Sequence, residues 1–134
     1  MKNILFITLL FLSISCKKED KIFILKTIQL NHYKMHADTS NQNLFFRVFD
    51  PRGSILLAET GSYPSAYTLP AQFGVHPHVS LPLYAQNYSV QLWSDRSGLL
   101  GECEVDMHAY KIIFPIEMEV EGENLEISIA GSWE

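Results

Sequence analysis

The chain has 134 residues, 47% of them hydrophobic, and a formal net charge of −5. That length holds one domain with one core, so a two-domain reading has no room. Residues 16–98 carry eight basic and six acidic side chains, net +2, whereas residues 99–134 carry one basic and nine acidic, net −8; a phosphate-binding surface needs the opposite balance, so no nucleic-acid partner is expected.

Met1-Lys2-Asn3 bears one positive charge, residues 4–14 are almost wholly apolar, and Ser13 and Ser15 are small, which is the layout of a secretory signal. Eleven residues rise only about 16 Å as a helix, against a hydrocarbon core about 30 Å thick, so this run is read as a leader and not as a span. It ends at Cys16, the one residue type that takes a thioether-linked lipid. Residues 12–16 resemble the lipobox of bacterial lipoproteins, with Ser15 as the small residue before the cut and Ser13 where the family prefers leucine. The resemblance implies a diacylglycerol on Cys16 and an N-acyl chain such as palmitate, and two or three chains hold a protein on a membrane almost permanently. Lys17-Lys18-Glu19-Asp20 resembles the short export signal that follows the lipidated cysteine in surface lipoproteins of the Bacteroidetes, which implies an outer-membrane, cell-surface location. The expected organisation is a signal peptide over residues 1–15, a lipidated tether over 16–21 and a single domain over 22–134.

Along that domain the dominant signal is an apolar period of two. Residues 22–30 open it. In residues 44–49, Leu44, Phe46 and Val48 are expected to face inward, because the other face carries Arg47. Asp50-Pro51-Arg52-Gly53 is turn chemistry leading into a strand at residues 55–58. Residues 63–74, with Pro64, Pro70 and Gly74, have no assignable pattern and are expected to make an excursion between sheets. Val79, Leu81 and Leu83 alternate, and Pro82 assigns them to a sheet edge or bulge. Tyr88, Val90 and Leu92 are inward against Ser89, Gln91 and Trp93; Cys103, Val105 and Met107 are inward against Glu102, Glu104 and Asp106. Ile116, Met118 and Val120 alternate with glutamates, as do Leu125, Ile127 and Ile129 with Glu126 and Ser128. Gly122-Glu123-Asn124 supplies the hairpin turn between them. Eight strands and no helix predict an antiparallel β-sandwich. Cys103 reads as a small core hydrophobe; with Cys16 acylated it has no disulfide partner in the chain.

The order of these segments resembles a C2 domain, the calcium- and phospholipid-binding sandwich, over residues 24–129. Asn43-Leu44-Phe45-Phe46-Arg47-Val48 carries the likeness, with Leu92-Trp93-Ser94-Asp95-Arg96 and Leu99-Leu100-Gly101-Glu102. The resemblance places the family's ligand positions at Asn43, Ser94 and Arg96, with only Asp38 and Asp95 as nearby carboxylates. Calcium needs six to eight oxygens, so calcium-independent behaviour is expected.

Five histidines invite a zinc reading through His32 and His36 or His76-Pro77-His78, but His32 and His36 read as loop residues and His76 and His78 as turn surface. No metal or other cofactor is expected. No Gly-x-Ser-x-Gly elbow or glycine-rich phosphate loop occurs, so no enzyme activity is expected. The sequence thus predicts a membrane-anchored binding or scaffolding module with a protein or glycan partner. Its recognition loops are residues 32–43, 63–78 and 94–98, with Tyr63, Tyr67, Phe73 and Asp95 as contact candidates. The alternative is a periplasm-facing assembly subunit of a secretion or envelope complex, resembling the type VI secretion lipoproteins in size, anchor and strand content.

Overall fold

A computed structural model describes residues 22–34, 42–66, 68–82, 87–107 and 117–134. Cys16, the Lys17, Lys18, Glu19 and Asp20 run, His36, Asp38, Tyr67, Leu83 and Ile116 lie outside the described residues. The described residues form β1 (Ile22–Tyr33), β2 (Asn43–Phe49), β3 (Leu56–Thr60), β4 (Tyr63–Pro64), β5 (Ala71–Pro82), β6 (Tyr88–Ser94), β7 (Gly98–Val105), β8 (Glu117–Glu121) and β9 (Leu125–Trp133). All pairings are antiparallel. The sheet runs β7-β6-β2-β3-β5-β1-β9-β8, with β4 added on β2.

Among the described residues the all-β, antiparallel expectation is met, with nine strands in place of eight. The extra strand is the two-residue β4, and residues 71–74, left without an element in the sequence, begin the twelve-residue β5. Two prolines in residues 63–74 hide both pieces from an alternation test. The strands form one nearly closed, barrel-like sheet whose two halves are joined through β5. That strand pairs with β1 from Ala71 to Gly74 and again from Val79 to Pro82. Between those stretches, Val75 and His76 pair instead with Thr60 and Glu59 of β3.

Bulges make this possible. On β1 the buried residues are Phe23, Leu25, Ile28, Leu30 and Tyr33, so the inward phase slips once after Leu25 and once after Leu30. The register breaks against β9 at the same two places, because an extra residue on one strand moves every later side chain to the other face. His32 is therefore a β1 residue and not a loop residue. His76, Pro77 and His78 are likewise an exposed bulge within β5, opposite Lys26, and not a turn.

Every described residue expected to face inward does so: Leu44, Phe46, Val48, Tyr88, Val90, Leu92, Cys103, Val105, Met107, Met118, Val120, Leu125, Ile127 and Ile129 are buried. Edge-to-face rings knit the core, with Phe46 and Phe73 centroids 4.9 Å apart at 89°. Each such ring contributes roughly 1.5–3 kcal/mol by burial. The two ends of the sheet meet where the β8–β9 turn packs on β7. A Cβ added at Gly122 would collide with the carbonyl oxygen of Glu102 and lie 3.2 Å from Cys103 Sγ.

Candidate functional site

Alternation directs Phe45, Arg47 and Phe49 of β2 to the outer face, and each is only partly exposed there. Phe45 lies opposite Trp93 and Arg47 opposite Gln91 on β6, while Arg47 lies opposite Glu59 on β3. The Arg47 guanidinium reaches over two rings, 4.8 Å from the Trp93 centroid and 5.1 Å from that of Phe45. Its Nε is 3.6 Å from Glu59 Oε2. Trp93 Nε1 donates to Gln91 Oε1 at 2.9 Å, and Gln91 Nε2 donates to Glu102 Oε2 at 3.3 Å. Leu99 of β7, 47% exposed, stands opposite Trp93 and extends the apolar area. Arg47 Nε and Ser89 Oγ on this face have no hydrogen-bond partner.

An outer sheet face is ordinarily polar when water is its only neighbour. This one carries Trp, Phe and Arg, the residue types that dominate binding hot spots. The sequence signal was present in Leu44-Phe45-Phe46-Arg47-Val48-Phe49, apolar on both faces of one strand. Arg47 marked the outer face as wet and so drew attention away from Phe45 and Trp93.

The loop positions picked out by the resemblance do come together, but as a structural clasp. Asp95 Oδ1 accepts a hydrogen bond from Asn43 N at 2.9 Å and Oδ2 accepts one from Asn43 Nδ2 at 3.1 Å. The Asn43 amide holds the Asp95 carboxyl below its ordinary value of 3.8, with a smaller push from Arg96. Beneath them Gln42 Oε1 accepts from Ser94 Oγ at 2.5 Å and from Ser97 Oγ at 2.9 Å. Ser94 Oγ in turn accepts from the amides of Arg96 and Ser97. Asp95 thus has both oxygens occupied in tying β2 to the β6–β7 turn.

Phe73, expected among the contact aromatics, is 1% exposed and belongs to the core. Tyr63 is 37% exposed and sets its ring edge-on to Phe73 at 4.8 Å. His76 and His78 are exposed with stacked rings 6.3 Å apart. Among the described residues no group of three or more histidine, cysteine, aspartate or glutamate side chains is placed to hold a metal ion.

Where β7 meets the β8–β9 turn, Glu102, Glu104, Glu121 and Glu123 line an open groove of about 670 Å³. Cys103 lies buried beneath it, with its Sγ 3.4 Å from the Leu125 carbonyl. Burial, with Glu102 and Glu121 nearby, pushes its thiol up to about 11, so it is neither a nucleophile nor a thiolate ligand at neutral pH.

No protein-family model matches the chain, and a comparison with curated proteins finds no match.

Proposed function

We propose that the chain is an outer-membrane lipoprotein, anchored through acylated Cys16 and facing the cell surface, and that its domain is a non-catalytic, calcium-independent binding module. The partner is a protein or glycan, held on the outer face of β2 and β6. The observation that carries the binding role is the stacking of Arg47 over Phe45 and Trp93 on a sheet face that alternation turns toward water. Aromatic rings provide large contact area at low entropic cost, and the neighbouring guanidinium, amide and carboxylates provide directional hydrogen bonds. Kinship with the C2 fold is part of this reading. It is supported by the segments that carry the likeness falling on the adjacent strands β2, β6 and β7. The anchor is supported by the sequence around Cys16.

Protease accessibility in intact and permeabilised cells tests the location, with membrane fractionation of a Cys16→Ala variant testing the anchor. Digestion in intact cells, and release of the variant from the membrane, is the expected result. Protection until permeabilisation would overturn surface exposure and favour the periplasm-facing assembly subunit.

A further inference from the structure

The strand directions place several features at one end of the barrel. Ile22, where β1 begins, pairs with Pro82, where β5 ends, and exchanges backbone hydrogen bonds with Glu134. β2 ends and β3 begins at the same end, joined by residues 50–55. The clasp of Asn43 and Asp95 lies at the other end. At this first end Ile55 is 59% exposed and Leu56 46%, neighbours in sequence and, among the described residues, the two most exposed large apolar side chains but for Leu99. They are held out by a rigid turn. Asp50 Oδ1 accepts from the amides of Ser54 and Ile55, both at 3.0 Å, Asp50 N donates to the Ile55 carbonyl, and Gly53 takes the left-handed conformation with φ 69°. Arg52 is exposed beside them. Behind the turn a groove of about 390 Å³ opens, with Pro51, Leu57, Val79 and Pro82 in its walls.

We infer that this end docks on the bilayer surface, with Ile55 and Leu56 entering the interface and Arg52 meeting lipid phosphates. The inference rests on the lipid anchor proposed above and identifies the face that the anchor presses against the membrane. The length of chain outside the structure is the argument for lipid as the occupant. Six residue steps from Cys16 to Ile22 reach at most about 21 Å when fully extended. An acylated Cys16 therefore keeps Ile22, and with it the end of the barrel that bears the turn, close to the headgroups. An exposed apolar pair flanked by a cation is the composition of an interfacial contact. The opposite end, with the β8–β9 turn and its glutamates, points away from the membrane, and the Arg47–Trp93 face stands along its side, open to a partner.

The test uses the full chain, purified from membranes and reconstituted in vesicles of phosphatidylethanolamine and phosphatidylglycerol. Mass spectrometry first reads the modification on Cys16. With Cys16 acylated and Cys103 buried, Ser54→Cys and, separately, Glu123→Cys each offer one accessible thiol for an environment-sensitive fluorophore. Nitroxide-bearing lipid is expected to quench the label at position 54 several-fold more than at 123, and an added Ile55→Asn, Leu56→Asn pair is expected to abolish the difference. Equal quenching at both positions on an acylated protein overturns the docking and leaves the anchor standing. A blue shift at position 54 without quenching means that a protein surface covers the turn, and overturns the docking too. An unmodified Cys16 overturns the anchor and the docking together.

Discussion

Arg47 stands across the ladder from Gln91, yet its guanidinium lies over the ring of Trp93, the residue two further along β6. The diagonal reach leaves Gln91 to bridge Trp93 and Glu102, so charge, ring and amide form one connected surface from Glu59 to Glu102. Cation–π contacts at partly exposed sites contribute about 0.5–1 kcal/mol. Arg47→Ala is expected to lower stability by about 1 kcal/mol, since the arginine stem also covers ring surface. Urea unfolding in a Trp133→Phe background, where Trp93 is the sole tryptophan, checks this and is expected to show a shifted emission maximum for the native state.

Gly122 is a different kind of constraint. An added methyl group there meets the backbone carbonyl of Glu102, which cannot swing aside as a side chain can. Gly122→Ala is expected to cost about 1–3 kcal/mol. Gly61→Ala, with open space around the position, is expected to be nearly neutral. A loss at Gly61 equal to that at Gly122 would show that contact across the barrel seam is not what glycine serves at position 122.

Cys103 makes the alkaline limb of stability legible. Its thiol stands at about 11 in the folded chain against an ordinary 9.0, burial being the main cause. Between those values the unfolded chain has lost the proton and the folded chain keeps it, so stability falls as pH rises from about 9 to 11. The Tyr33 and Tyr88 hydroxyls, raised by burial, act in the same direction above pH 10. Cys103→Ala is expected to remove the part of the decline that begins near pH 9, on the order of 3 kcal/mol at most. Thermal melts across that range check it. Alkylation of Cys103 is expected only under denaturing conditions.

Asp95 acts at the other extreme. Its carboxyl is lowered in the folded chain, chiefly by the Asn43 amide. The stability it contributes is therefore present above its ordinary value of 3.8 and lost as pH falls through the lowered one. Asp95→Asn is expected to flatten the acid limb, and carbon-detected NMR titration of the carboxyl is expected to give a midpoint below 3.8.

The same clasp bears on calcium. With both Asp95 oxygens engaged by Asn43, calorimetric titration with calcium is expected to show no micromolar binding. A micromolar site would mean that the clasp opens to present the carboxylate.

Much of the fold was legible in the sequence, because a strand with one face in the core states its orientation in every second residue. Leu125, Ile127 and Ile129 could be placed inward without coordinates, as could the turn at Gly122-Glu123-Asn124. β1 and β5 were only partly legible. Their bulges after Leu25, after Leu30 and at residues 75–78 shift the phase, and a shifted phase looks like the end of a strand. Phe73 was misplaced for the same reason: in a stretch flanked by Pro64, Pro70 and Pro77 no period remains to show which side of the sheet an aromatic ring takes.

The sequence by itself determined the all-β class and most of the inward face, since these depend on composition and spacing along the chain. The tertiary structure decided that β5 joins the two halves of the sheet, that Asp95 clasps Asn43 and that Arg47 covers Trp93. It also gathered Ile22, Pro82 and Ile55 at one end of the barrel. These contacts join residues from about fifteen to sixty positions apart in the chain, and no local period encodes which strand lies beside which.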